Sequence, residues 1–122
     1  MKRRDLLAVA ASAVAAPWVH AQSSAWPTRG PIRLICQYPP GGLVDTVARL
    51  LAPHLSQALS QTVVVENKPG AAGNVGLAGV VRSKPDGYTI GLGTIGTQSI
   101  NPFLYTEMTF DPGKDLLPIA LV

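Results

Sequence analysis

The chain has 122 residues, which suits one small domain, and a formal net charge of +3 at neutral pH. The basic residues beyond position 4 are scattered and form no stripe, so the charge does not indicate nucleic-acid binding. A single cysteine excludes an intramolecular disulfide, and the sequence lacks the spaced histidines, cysteines and acids of a metal site.

The first 21 residues have the pattern of an export signal. Lys2, Arg3 and Arg4 form a positive start, residues 6–16 are an apolar run, and residues 19–21 provide a cleavage signal near Ala21. The apolar run is too short to span a bilayer. The sequence therefore predicts a signal peptide over residues 1–21, exported by the general or the twin-arginine route. Its removal leaves seven basic and six acidic residues, a net charge of +1.

Strands and helices alternate along the rest of the chain. After an extended lead-in over residues 22–30, strands are predicted over residues 32–36, 62–66 and 88–93, with helices over residues 45–59 and 75–82 and a helical turn near residues 101–105. Pro53 is expected to kink the first helix or divide it in two. The valine-rich second strand is typical of one that is buried on both faces of a parallel sheet. Two right-handed strand–helix–strand units predict an open α/β sheet.

Glycine-containing loops follow all three predicted strands and should meet at the carboxyl ends of the sheet. The turn Pro39-Pro40-Gly41-Gly42 opens directly onto the first helix, whose free N–H groups can bind a carboxylate or phosphate. Neutral hydrogen-bonding side chains lie near these loops, namely Tyr38, Asn74, Thr94, Thr97 and Ser99. The alternative is that the glycines serve only the turns and the hydroxyl groups only cap helices.

Three further residues have competing interpretations. Asp45 is either an ordinary acid in the first turn of a helix or, if it reaches the loops, the partner of an amino-acid ligand's ammonium group. Cys36 is expected to be buried and inert, and His54 to be a solvated helix residue. No catalytic residue, metal or cofactor is predicted.

Five motifs occur in an order that resembles a known family. They are Trp26-Pro27, the segment from Tyr38 through Pro-Pro-Gly-Gly and Asp45 to Arg49, the segment from Val63 through Glu-Asn and Pro-Gly-Ala to Gly73, Pro85-Asp-Gly-Tyr-Thr89, and Asn101-Pro-x-Leu-Tyr105. Together they resemble the Bug family of periplasmic receptors, the solute-binding proteins of tripartite tricarboxylate transporters.

The resemblance implies a periplasmic-binding-protein-like fold of the type II, Venus-flytrap kind. Residues 31–122 would then form part of domain 1, a three-layer αβα unit that is truncated before domain 2. The implied function is capture of a small carboxylate, either a di- or tricarboxylate, an amino acid or an aromatic acid, without enzymatic activity. The implied partners are the membrane subunits of the carrier, and the complete protein would be a periplasmic monomer.

The resemblance and the loop chemistry together give the candidate ligand-binding residues. Leu43 departs from the small or hydroxyl-bearing residue associated with that turn, which removes a possible contact to the usual ligand. The full set is Tyr38, Pro40, Gly41, Gly42, Leu43, Asp45, Ala71, Gly73, Asn74, Thr94 and Thr97.

The end of the sequence gives a further expectation. Residues 111–122 resemble the family's path toward the second domain, so the chain is expected to stop within a strand, with an apolar sheet edge at residues 120–122. A half-receptor of this kind would bind weakly or not at all. The alternatives are a fragment with no binding role and an exported anion-handling enzyme.

Overall fold

A computed structural model describes residues 26–122, so the predicted signal peptide lies outside the described residues. Within residues 26–122 the regular elements are three strands and four α-helices, with a short 3₁₀ segment, Ala71–Gly73, and a π-helical segment, Gly96–Ile100. In chain order they are β1 (Ile32–Cys36), α1 (Leu43–Leu59), β2 (Val63–Asn67), α2 (Asn74–Val81), β3 (Thr89–Gly91), α3 (Asn101–Leu104) and α4 (Pro112–Asp115).

The three strands form one parallel sheet in the order β2-β1-β3. In the register, Leu34 of β1 lies opposite Val65 of β2 and opposite Ile90 of β3. All three strands therefore end at the same edge, and the segments that follow them begin side by side. The predicted open α/β sheet is confirmed.

Helices cover both faces of this sheet. Ile32, Leu34 and Cys36 alternate along β1 and pack with Ala48 and Ala52 of α1 in one buried cluster. On the opposite face, Leu77 and Val80 of α2 lie against Gly91, whose register partner is Ile35 of β1. The small residues of α1 and β3 let each helix approach the sheet closely, and the Cys36 thiol is buried as expected.

Several local expectations are wrong. Helix α1 begins at Leu43 and is not divided at Pro53, because proline removes one helix hydrogen bond while packing against the sheet holds the rest. The kink at Pro53, the other expected outcome, stays a prediction. Strand β2 lies at an edge, and Val64 is 41% exposed, so its valine run does not mark a strand buried on both faces. The described part of the lead-in, residues 26–30, is a turn and a bend and is not extended, and the Trp26 ring packs edge-on against Tyr88. Residues 22–25 of the expected lead-in lie outside the described residues.

The last residues also differ from the expectation. Residues 116–122 form neither helix nor strand, so the strand and the sheet edge expected at residues 120–122 are not formed. Leu117, Ile119 and Leu121 are exposed there. Across residues 26–122, no helix is both long enough and apolar enough to cross a membrane.

Gly76 sets how closely α2 approaches the end of β1. A Cβ atom at this position would lie 2.8 Å from the Gln37 Cβ, 2.9 Å from the Gln37 Cα and 2.8 Å from the Lys68 carbonyl oxygen. Two of these three atoms are fixed by their strands or by the loop backbone, so the added methyl group has no space. A side chain at Gly79, on the same helix, would meet nothing within 4 Å.

We expect Gly76→Ala to lower the free energy of unfolding by about 1–3 kcal/mol, because the helix must move away from the sheet. Gly79→Ala is the matched control, and it should be neutral or stabilising by up to about 1 kcal/mol, since alanine favours the helix. Urea denaturation of both variants measures this difference. Equal effects of the two substitutions would contradict the close approach.

Candidate functional site

Three loops meet at the carboxyl edge of the sheet. The first loop covers residues 37–42, the second residues 68–73, and the third residues 92–97, whose last residues begin the π-helical segment. Tyr38 joins them, because its hydroxyl lies 3.4 Å from the carbonyl oxygen of Ala72 and 3.3 Å from Oγ1 of Thr94. The predicted convergence of the three loops is therefore present.

The amino terminus of α1 faces this loop cluster without a capping side chain. Its N-cap is Gly42, and among the described residues no side chain accepts a hydrogen bond from the first N–H groups of the helix. Helix α2 also begins after a glycine N-cap, Gly73, but its first N–H groups, those of Asn74 and Val75, donate to the carbonyl oxygens of Ala71 and Gly70. Unpaired N–H groups and the positive end of the helix dipole therefore favour an anion at the start of α1.

The carboxylate of Asp45, in the first turn of α1, fixes the first loop. Its Oδ2 accepts hydrogen bonds from the backbone N–H of Gly41 and from Nε of Arg49, both at 2.9 Å. Its Oδ1 accepts from Nδ2 of Asn67 at 2.8 Å, and the same amide lies 3.1 Å from the carbonyl oxygen of Tyr38. Asp45 thus ties the first loop to helix α1 and to the end of β2.

These contacts also set the charge state of Asp45. The hydrogen bond from Arg49, followed by those from Gly41 and Asn67, lowers the pKa of the Asp45 carboxyl far below its ordinary value. The carboxylate is therefore charged and fully partnered at neutral pH. The side chain is only 4% exposed, which leaves little of it for a ligand to reach.

The second loop has a strained backbone. Ala71 and Ala72 both adopt positive φ angles, of 45° and 51°, which cost L-residues about 1–2 kcal/mol each. The Ala72 carbonyl holds this shape by accepting hydrogen bonds from Tyr38 and from Nδ2 of Asn101, the latter at 3.1 Å. Asn101 also donates to Oδ1 of Asn74 at 2.7 Å, so the two asparagines form a buried pair beneath the loop.

Close packing joins the second loop to the third. A Cβ atom at Gly73 would lie 2.7 Å from Cγ2 of Thr97 and 2.8 Å from Cγ of Gln37, and its φ of 96° also requires glycine. The fully buried Thr97 hydroxyl accepts a hydrogen bond from the Thr94 N–H at 3.0 Å. The buried Thr97 side chain therefore holds the backbone of the third loop at Thr94.

Gln37 is a buried polar residue without a partner. Its side chain is fully buried, and within the described residues neither its amide nitrogen nor its amide oxygen makes a hydrogen bond. Leaving such a group unpaired costs about 1–3 kcal/mol. Buried polar groups are nearly always paired, so this amide is an exception at the base of the loops.

The structure divides the predicted site residues into two groups. Some are exposed or half-buried on the loops, namely Tyr38, Pro40, Gly41, Gly42, Leu43, Ala71 and Thr94. The others are buried beneath the loops and are held by contacts within the chain, namely Asp45, Gly73, Asn74 and Thr97.

Sequence reasoning did not assign site roles to four supporting residues, Gln37, Arg49, Asn67 and Asn101. The spacing of Asp45 and Arg49, four positions apart on a helix, was a signal for their ion pair. The side-chain contacts of Asn67 and Asn101 join residues 18 to 29 positions apart and leave no local pattern. His54 is exposed, as expected, and the described residues contain no cluster of His, Cys, Asp and Glu that could hold a metal.

Two open depressions lie elsewhere on the surface. One, of about 510 Å³, runs between α1 and the exposed side of β2 and includes Arg49 and Val64. The other, of about 630 Å³, lies between α3 and α4 and includes Phe103 and Phe110. Neither is lined by the glycines of the three loops, so neither shares the helix-terminus chemistry of the loop cluster.

We expect Asp45→Asn to weaken the dependence of stability on acid. A folded-state pKa below the unfolded value of about 3.9 means that Asp45 stabilises the fold above that pH and loses its contribution as the pH falls further. The variant should have a lower Tm at pH 7, and a smaller fall in Tm between pH 6 and pH 3, than the unaltered chain. Glu107→Gln changes an exposed acid and is the control. If Asp45→Asn keeps the acid dependence of the unaltered chain, as the control should, the hydrogen bonds of Asp45 do not stabilise the first loop.

Comparison with known proteins gives a consistent family. Residues 47–122 match the family model described as "Tripartite tricarboxylate transporter family receptor". Over 122 residues the chain is 38% identical to a UPF0065 protein of Bordetella bronchiseptica, and over 125 residues it is 36% identical to Protein BugT of Bordetella pertussis. These matches cover all of this chain, but only 36% and 38% of the two relatives, so the chain spans little more than a third of their length.

Solved structures show the same fold. The periplasmic binding protein BugD is 40% identical with a TM-score of 0.68, over 71% of this chain and 29% of that one. A Rhodopseudomonas palustris protein solved with adipate is 38% identical with a TM-score of 0.68, over 72% and 29% of the two chains. MatC from the same organism, solved with bound malate, is 31% identical with a TM-score of 0.69, over 72% and 30%.

The matching family is described as a transporter receptor, and BugD is a periplasmic binding protein; neither is an enzyme. The predicted resemblance is confirmed by the family match and by the Bug proteins among both sets of relatives. The chain belongs to the family of tripartite tricarboxylate transporter receptors, with the fold of a periplasmic binding protein.

Proposed function

We propose that the three loops form a wall of the ligand site of an exported receptor, which captures a small carboxylate in the periplasm and delivers it to the membrane subunits of a tripartite carrier. The observation that carries this proposal is the uncapped amino terminus of α1, which begins directly after the first loop of a cluster in which the Tyr38 hydroxyl contacts the second and third loops. Family membership gives the class of receptor. The adipate and malate bound by two relatives favour carboxylates as ligands.

In this proposal, neutral groups satisfy the carboxylate. Lys68 is the one charged side chain within the three loops, and its Nζ lies 3.9 Å from Oε2 of Glu66. One oxygen of the ligand would accept hydrogen bonds from the N–H groups of Gly42 and Leu43 at the start of α1. The other would accept from the hydroxyl groups of Tyr38 and Thr94. Donors fixed on the backbone need little reorganisation to hold an anion.

Tyr38 is suited to changing its hydrogen-bond partner. Its contacts to Ala72 and Thr94, at 3.4 and 3.3 Å, are longer than the 2.5–3.0 Å of a good O–H···O bond. The hydroxyl therefore loses little when it turns toward a carboxylate. A stronger bond to an ionised acceptor would replace two weak ones.

The buried group of predicted residues has a supporting role in this proposal. Asp45 holds the Gly41 N–H, Thr97 holds the Thr94 N–H, and Asn74 with Asn101 supports the second loop. An ammonium group of an amino-acid ligand would have to displace Arg49 from Asp45. We therefore place Pro40, Gly41, Gly42, Leu43 and Ala71 at the ligand, with Tyr38 and Thr94, and favour ligands without an ammonium group.

The proposal predicts that Tyr38→Phe weakens carboxylate binding by about five- to tenfold, the effect of losing one hydrogen bond. The measurement is a titration of the ¹⁵N-labelled chain with adipate and with malate, followed through the backbone amide signals. Because the loops contact a ligand from one side, dissociation constants on the order of millimolar are expected. The amides of residues 41–43 and 94–97 should shift most, and the ligand should be recovered unchanged.

Tyr105→Phe is the matched control, since Tyr105 lies outside the three loops and is 38% exposed. It should leave both affinities unchanged, and both variants should keep the Tm of the unaltered chain. Shifts confined to residues outside the loops would contradict the proposed site. Chemical conversion of the added acid would favour the alternative of an enzyme.

A further inference from the structure

Two bulky aliphatic side chains stand exposed among the polar groups of the loop cluster. Leu43, the first residue of α1, is 81% exposed, and Ile95, in the third loop, is 76% exposed. Exposed large aliphatic residues are ordinary when they occur singly. These two, however, directly adjoin the groups to which the carboxylate site is assigned, since Leu43 follows Gly42 and Ile95 follows Thr94.

The positions of both residues are fixed by their neighbours. Thr94 and Gly96 flank Ile95, and both lie near the Tyr38 hydroxyl. The hydroxyl oxygen is 3.3 Å from Oγ1 of Thr94, and it would be 3.7 Å from a Cβ atom added at Gly96. The hydrogen bond from Gly41 to Asp45 fixes the turn that leads to Leu43. Ile95 is thus held next to the residues that contact Tyr38, Leu43 stands at the fixed start of α1, and both side chains are mostly exposed.

Charge is sparse in the same region. Asp45 is occupied by Arg49, Gly41 and Asn67. Lys68, in the second loop, is the one charged side chain within the three loops, and its Nζ lies 3.9 Å from Glu66, which also binds Arg33. The first and third loops, which contain Tyr38 and Thr94 and adjoin Leu43 and Ile95, therefore offer a ligand aliphatic surface and carry no charged side chain. Surface of this kind is buried favourably by hydrocarbon and unfavourably by hydroxyl groups.

We propose that Leu43 and Ile95 determine specificity, and that the site selects carboxylates with a hydrocarbon body, such as adipate, over hydroxylated acids such as malate. The inference rests on the proposed carboxylate site and adds the ligand class. Each buried CH₂ group is worth about a three- to fourfold gain in affinity. Adipate, even with partial burial, should then bind about tenfold more tightly than malate.

The test is the same amide titration of the whole chain with adipate and with malate, repeated for Leu43→Ser and Ile95→Ser. Serine is well tolerated in the first turn of a helix, so Leu43→Ser should fold normally. Each variant should lose about three- to fivefold in adipate affinity and little in malate affinity. Leu50→Ser is the control, because Leu50 is 66% exposed on the same helix but two turns from the loops. It should keep the preference of the unaltered chain.

The outcomes separate the inference from the proposed function. Equal affinities for adipate and malate in the unaltered chain, or an unchanged preference in both serine variants, would overturn the inference and leave the carboxylate site in place. The same loss of preference in Leu50→Ser as in Leu43→Ser would also overturn it. Loop amides that respond to neither acid would overturn the proposed function, and the inference with it.

Discussion

The buried carboxylate of Asp45 is the interaction on which the loop cluster depends. A carboxylate that is only 4% exposed must be paired, because an isolated charge in that position would be costly. Its partners come from the first loop, from α1 and from the end of β2, so pairing the charge also joins the three elements. The strand-to-helix turn keeps its shape without a ligand. A site built on that turn is consequently preorganised, which reduces the ordering cost of binding.

Close backbone packing adds a second constraint. Gly76 brings α2 against the end of β1, and Gly73 brings the second loop against Thr97. No side chain larger than hydrogen fits at either position without movement. Two consecutive alanines with positive φ angles then complete the second loop, and the Ala72 carbonyl links it to Tyr38 and Asn101. Such strain persists only where surrounding contacts fix the backbone, as the buried asparagine pair does here.

The sequence predicts the elements well and the contacts between them poorly. The bounds of β1 follow from its apolar run, and α1 follows from its apolar period, because both signals are local. The edge position of β2 does not follow, since a valine run suits a central strand and a half-covered edge equally. Neither does the split of site residues into exposed and buried groups. Thr94 and Thr97 are alike in sequence, yet only the packing against Gly73 buries Thr97.

The buried and the exposed residues of the proposed site have different roles, the first in stability and the second in selectivity. The residues that hold the loops in place are buried and have partners within the chain, so changing them alters the fold before it alters the ligand. Leu43 and Ile95 are exposed, so we expect their substitution to change the free energy of unfolding little. Relatives with this fold do differ in ligand, as the adipate and malate complexes show. In the proposed site, ligand choice depends on the side chains that stand beside the N–H groups at the start of α1, and two of these side chains, Leu43 and Ile95, are aliphatic.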